Sequence, residues 1–116
     1  MATHHVTILR SEAKKSLPYV LYDPAFEGLD VEFESVTAER PEDALLAVNG
    51  ADVVMSAGVP VDATLIAAMD RAQSIAIFGH GFESVDLNAA THAGIMVTNA
   101  AYICNQEVAN HCAAMI

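Results

Sequence analysis

The sequence predicts an α/β domain: a five-stranded parallel sheet with helices on both faces. Three observations carry that expectation. Short β-branched or apolar runs alternate with helical patterns along the chain, with only short breaks between them. One run, Ser74-Ile75-Ala76-Ile77-Phe78, is almost wholly apolar, as suits a central parallel strand covered on both faces. The length of 116 residues makes one small domain, long enough to hide roughly two thirds of the surface of its unfolded chain.

The elements follow in order. Val6-Thr7-Ile8-Leu9 is a β-branched run after a polar start and reads as the first strand. Leu17 to Phe26 is mixed and broken by Pro18 and Pro24, so it is a short helix or a loop. Val31 to Val36 alternates apolar and polar residues, the pattern of a half-exposed second strand. Pro41 sits at a helix start with Glu42 and Asp43 in the first turn, and Asn49-Gly50 ends that helix. Val53-Val54-Met55 forms the third strand after Asp52. Pro60 and Asp62 lead into a helix from Ala63 to Met69. Ser74 to Phe78 is the fourth strand. Asp86 caps a short helix that Gly94 terminates after Ala93. Ile95 to Thr98 is the fifth strand, and from Gln106 a helix runs to Ile116. That last helix is apolar and carries no stop signal, so it is expected to need a partner surface and to lead into a longer protein. A helix that simply closes the domain is the alternative.

Composition narrows the function. Apolar residues make up 53% and charged residues 17%, which excludes a disordered chain. Five Lys and Arg stand against fifteen Asp and Glu, a formal charge of −10. Nucleic acids and anionic membrane surfaces demand a basic face that this chain does not supply. No apolar run has the length of a membrane helix, and the start lacks the basic flank and apolar stretch of a secretory signal. Cys104 and Cys112 are too far apart along one helix to bridge, and free thiols fit a cytoplasmic protein.

In open α/β sheets ligands bind at the carboxyl ends of the strands. Those ends are Arg10-Ser11-Glu12, Ser56-Ala57-Gly58, Gly79-His80-Gly81-Phe82 and Asn99-Ala100-Ala101. Gly79-His80-Gly81 stands out, because flanking glycines leave the amides of His80 and Gly81 free to point at an anion such as a carboxylate. The plainer reading is a tight strand-to-helix connection. His80 has acid–base chemistry available but no carboxylate partner nearby in sequence, so it reads as an uninvolved loop histidine. His4 and His5 are neighbours on a strand and point to opposite faces, so they do not share a metal. His92, late in its helix, serves the C-terminal carbonyls, and Glu107 and His111 are spaced as a helical pair. No GxGxxG or GxxxxGK[ST] motif is present, and no metal site is expected. A phosphate-accepting receiver domain shares the strand pattern but needs acidic residues where Arg10-Ser11-Glu12 and Ser56-Ala57-Gly58 stand.

Three stretches in register identify a family. Phe78-Gly-His-Gly-Phe-Glu-Ser-Val-Asp86-Leu-Asn-Ala-Ala90 is followed by Gly94-Ile95-Met-Val97-Thr-Asn99 and then by Glu107-Val-Ala109-Asn-His111. Together they resemble the N-terminal half of the D-isomer-specific 2-hydroxyacid dehydrogenases, which read G-x-G-x-x-x-[VI]-D-x-x-A, G-I-x-V-x-N and V-A-[ED]-H. The match covers roughly Ala51 to Ile116, and the first fifty residues agree in strand–helix pattern only. Asn110 departs from the acidic residue the family prefers.

The resemblance implies a two-domain enzyme. Residues 1–101 would form a flavodoxin-like, three-layer substrate-binding domain. Residues 102–116 would begin the interdomain helix that leads to a Rossmann domain binding NAD or NADP. The chemistry implied is hydride transfer between the nicotinamide and C2 of a D-2-hydroxy or 2-oxo acid. The family's catalytic Arg, Glu and His and its GxGxxG fall beyond Ile116, so no catalytic residue lies within this segment and these residues alone are expected to be inactive. The substrate side does carry over. Gly79, His80 and Gly81 map onto the loop that holds the substrate carboxylate, and Ser56, Ala57 and Gly58 map onto the loop lining the same pocket. Tyr102-Ile-Cys104-Asn105 resembles the formate dehydrogenase branch, where the Asn touches substrate and nicotinamide. The spacing from Asn105 to Val-Ala differs by about one residue, and a helix N-cap is the alternative for it. Val108 would sit near the nicotinamide ring. Exposed apolar helix surface favours self-association, in the simplest case a homodimer. A non-catalytic nucleotide-sensing or small-carboxylate-binding protein of the same fold is the rival reading.

Overall fold

The computed structural model describes residues 3–15 and 26–116. Five strands form one parallel sheet: β1 (His4–Arg10), β2 (Val31–Thr37), β3 (Val53–Ala57), β4 (Ser74–Ile77) and β5 (Met96–Thr98). Their order is β2-β1-β3-β4-β5, the doubly wound order of flavodoxin-like domains. The four described helices are α1 (Leu45–Val48), α2 (Ala63–Ala67), α3 (Leu87–Ala93) and α4 (Asn105–Met115), with 3-10 turns at Glu12–Lys14 and Pro41–Ala44. The expected mixed stretch from Leu17 lies outside the described residues up to residue 25. Among the described residues, no helix is long and apolar enough to cross a membrane.

Register explains the core. Thr7, Val54, Ile75 and Val97 stand side by side across four strands, and Leu9, Ser56 and Ile77 form the next row on the same face. That face packs against Val48 of α1, Leu65 and Ile66 of α2, and Ala90 of α3. Leu9, Val54, Leu65 and Ile75 are fully buried. The polar members of these rows are satisfied: Thr7 Oγ1 donates to the Ala47 carbonyl at 2.9 Å, and Ser56 Oγ to the Val59 carbonyl at 2.7 Å.

On the second face Val6 and Ile8 are buried, but cover thins towards β5. This corrects one expectation. β4 is not sealed on both faces: Ile75 is buried, whereas Ser74, Ala76 and Ile77 are half-buried. β4 lies one strand from the edge, and Met96 on the neighbouring edge strand is 64% exposed.

The punctuation works as read. Asp62 caps α2 by accepting from the Leu65 N–H, and Asp86 caps α3 by accepting from the Ala89 N–H, each at 2.9 Å. Gly94 ends α3 in the left-handed conformation, and the N–H of Ile95 returns to the Ala90 carbonyl. That bond draws Ile95 into the cap, so β5 starts one residue later than expected. α2 likewise finishes early, its last turn tightening through Ala68 and Met69, which donate to the Leu65 and Ile66 carbonyls.

α4 differs from the other helices, with no residue buried. Val108 is 55% and Met115 69% exposed. The apolar surface expected to need a partner is therefore uncovered. Its i,i+4 bond joins Gln106 to Asn110 rather than Glu107 to His111. The His92 ring reaches the Asn88 carbonyl, one turn earlier than the helix end expected for it.

Candidate functional site

Because every strand runs the same way, the carboxyl ends share one rim. The loop from Gly79 to Gly81 crosses that rim beyond β4. Its position is fixed from both sides. Phe78 N–H donates to the Ser56 carbonyl at 2.8 Å, tying the loop's start to β3. Ala100 N–H donates to the Gly79 carbonyl at 2.9 Å, and the Asn99 side-chain amide donates to the His80 carbonyl at 2.5 Å. Downstream, Val61 N–H binds the Ser84 carbonyl and Asp86 N–H binds the Val61 carbonyl, which sets Val85 into the core. The Gly79 N–H turns back to the Ile77 carbonyl at 3.0 Å, and the clamp leaves the next two donors out. Among the described residues, the backbone N–H groups of His80 and Gly81 have no hydrogen-bond partner.

Gly79 takes φ 154°, a conformation that L side chains rarely adopt, and a Cβ there would meet nothing within 4 Å. Backbone torsion rather than space requires the glycine. Gly81 needs no left-handed torsion, and its close neighbour is the end of a flexible, exposed side chain. A Cβ built there would lie 2.5 Å from Glu83 Oε2, so the glycine lets the Glu83 carboxylate lie against the loop backbone. That negative charge stands beside the two free amides. Next to the loop, a depression of about 350 Å³ is lined by Phe82, Leu87, Val97, Thr98, Asn99 and Ala101.

The other expected residues distribute unevenly. Ser56 and Ala57 lie on the rim side of β3, but both are buried and the Ser56 hydroxyl is taken by Val59. Gly58 is exposed with φ +87°, and a Cβ there would meet Ser11 Oγ at 2.9 Å and the Lys14 side chain at 3.4 Å. A lysine stem therefore approaches the rim from the first crossover. Asn105 is the first residue of α4 and is exposed, so the N-cap position falls on Cys104, which makes no side-chain cap bond. Tyr102, two residues earlier, has φ 69°, a conformation uncommon for a bulky residue.

Sequence reasoning passed over three contributors: Asn99 as the loop's clamp, Glu83 as its neighbouring charge, and Cys104, whose Sγ lies 2.8 Å from His80 Nε2. Asn99 and Cys104 left signals, since Asn99 closes the G-I-x-V-x-N stretch and Cys104 stands in the Tyr102–Asn105 stretch. His80 is not an isolated loop residue.

The amino rim is chemically separate. There Asp52 accepts from His5 N–H at 2.9 Å and from the Arg71 guanidinium at 2.7 Å. The His5 bond, with Arg71, holds its carboxyl below the usual range against the opposing effect of burial. His5 also sits 3.2 Å from Glu32. Among the described residues, no three His, Cys, Asp or Glu side chains converge as a metal site requires. What the carboxyl rim offers is a fixed pair of amide donors in an otherwise acidic chain, an arrangement suited to a small anion.

Known structures share this architecture. Over 98% of its length the chain superposes on NAD+-bound 3-phosphoglycerate dehydrogenase from Entamoeba histolytica, with a TM-score of 0.78 and 21% identity, covering 38% of that protein. For D-lactate dehydrogenase from Escherichia coli the values are 96% of the chain, 0.69, 20% identity and 35% of that protein. For the pyruvate reductase of Chlamydomonas reinhardtii they are 98%, 0.68, 25% and 34%. The chain thus spans little more than a third of the length of the solved structures it matches. Comparison with curated proteins gives no match. The family model described as the D-isomer specific 2-hydroxyacid dehydrogenase catalytic domain matches residues 6–114, nearly the whole chain, and the chain belongs to that family.

Proposed function

We propose that this segment is the substrate-binding part of an oxidoreductase that moves a hydride between NAD or NADP and C2 of a small D-2-hydroxy or 2-oxo acid. One observation carries the reading: the unpartnered amides of His80 and Gly81, clamped on the rim where family members hold a substrate carboxylate. Similarity to proteins named for D-lactate, pyruvate and glyoxylate chemistry supports a small 2-oxo acid.

In this reading the substrate carboxylate accepts from His80 N–H and Gly81 N–H, and Gly79 supplies the backbone turn. Gly58 lines the pocket with Lys14 behind it, while Ser56 and Ala57 hold the strand end from beneath. Residues 1–101 are the substrate domain, and residues 102–116 begin the helix to a Rossmann domain. Asn105 and Val108 fit a nicotinamide contact, since both are exposed on the first turns of α4. The sequence carries no GxGxxG motif, so this reading assigns the rest of the cofactor's contacts to that second domain. Bound there, the nicotinamide supplies or accepts the hydride. This domain's residues fix the carboxylate and, on closure, exclude water. The bare apolar face of α4 fits that arrangement and a homodimer.

The test is a panel of glyoxylate, pyruvate and larger 2-oxo acids offered to the gene's complete product with NADH or NADPH. Cofactor oxidation with at least one acid is expected, and none from residues 1–116 alone. No oxidation with any acid, alongside retained carboxylate binding, would favour a non-catalytic binding protein.

A further inference from the structure

His80 and Cys104 are 24 positions apart in sequence, and the fold brings the Cys104 Sγ to 2.8 Å from His80 Nε2. Nδ1 of the same ring lies at 4.0 Å, so Nε2 is the nitrogen turned to sulfur. The carboxylate reading uses only the backbone N–H of His80 and leaves both of these side chains without a task. Cys104 is half-buried at the N-cap position of the 11-residue helix α4, whose first amides have no side-chain cap. Thiols beside imidazoles and at helix N-termini are the ones that react, because the sulfur passes its proton to the base and the amide dipoles favour negative charge. Cys112, on the same helix, is exposed, and its thiol has no hydrogen-bond partner among the described residues.

We propose that Cys104 and His80 form a reactive thiol–imidazole pair, a covalent modification site for peroxides and small alkylating electrophiles. With a peroxide, the sulfur attacks one oxygen while its proton moves to His80 Nε2. The S–O bond forms as the O–O bond breaks. The leaving hydroxide or alkoxide recovers the proton from the imidazolium. The thiol is oxidised by two electrons to a sulfenic acid, and the peroxide is reduced to water or an alcohol. With iodoacetamide, the C–S bond forms as iodide leaves, and the imidazole keeps the proton. The added group lies against the loop that carries the two free amides. Interference with carboxylate binding therefore follows if the proposed function holds, but reactivity itself does not depend on it.

Cys112 supplies an internal reference. The chain is treated with limiting iodoacetamide at neutral pH without any carboxylate present, and each cysteine's rate is read by peptide mass spectrometry. The expected rate at Cys104 exceeds that at Cys112 by about tenfold or more. His80→Gln, which keeps the backbone amide and removes the base, is expected to bring the two rates within about twofold. Hydrogen peroxide followed by dimedone is expected to label Cys104 and not Cys112. Equal rates in the unmodified chain overturn the proposal, and so does a ratio unchanged in a folded His80→Gln variant. The first comparison needs no variant, so a substitution that misfolds leaves the test standing.

Discussion

Glu83→Gln is expected to tighten the binding of a small carboxylate at the His80–Gly81 amides. A Cβ at Gly81 would stand 2.5 Å from Glu83 Oε2, so the carboxylate lies against the loop backbone. An anion accepting from the Gly81 N–H sits about 2.9 Å from that nitrogen, which puts the two negative charges roughly 5 Å apart. Glu83 is exposed, so the dielectric of water applies, and the repulsion comes to about 0.8 kcal/mol. Removing it strengthens binding about fourfold at low ionic strength. At 0.15 M salt the Debye length is about 8 Å, screening removes near half of the effect, and about twofold remains. Calorimetric titration with oxamate, a monoanion, at both salt concentrations reads the change. Glu32→Gln is the control. It removes the same charge near the amino end of β2, at the other end of the sheet. A Glu83→Gln affinity equal to that of the unmodified chain at low salt, or equal gains from both substitutions, would refute the reasoning.

Other consequences are testable by simpler means. Leu65 is fully buried between sheet and helices, so Leu65→Ala is expected to cost 2–5 kcal/mol in urea unfolding; a loss below about 1 kcal/mol would contradict the packing described. Asp86→Ala removes the bond to the Ala89 N–H and is expected to cost about 1 kcal/mol, while Asp86→Asn retains most of the stability. Asp52 has its carboxyl pKa lowered in the folded state by the His5 N–H and by Arg71. Its stabilisation is therefore present above the unfolded value near 3.9 and is lost as pH falls through the folded one. Acid titration of the melting temperature is expected to show a fall below about pH 4 that Asp52→Asn flattens.

What was legible was local. Asp62, Asp86 and Gly94 announce helix ends through bonds spanning three or four residues, and each acts where the sequence places it. Strand identity followed from β-branched runs, and the position of the Gly79–Gly81 loop from the run before it. The site's remaining features span distance or irregular backbone. His80 meets Cys104 across 24 residues and Asn99 across 19, and no periodicity marks such pairs. Glu83 folds back on Gly81 within a loop, where no helical or strand repeat predicts which way a side chain turns. The half-cover of β4 depended on strand order, which an apolar run does not encode. Ser56 read as a pocket residue because the family resemblance maps it onto the pocket loop. The alternation of β3 turns its hydroxyl inward to Val59.

The central claim is that the His80 and Gly81 amides form the anion cradle. Titration of the 15N-labelled chain with oxalate, followed amide by amide in heteronuclear NMR spectra, tests it most directly. The account predicts saturable shifts largest at His80 and Gly81, with Gly58 moving less and the amino-rim signals of His5 and Asp52 still. Shifts concentrated elsewhere, or none at His80 and Gly81 up to high oxalate concentration, would contradict it.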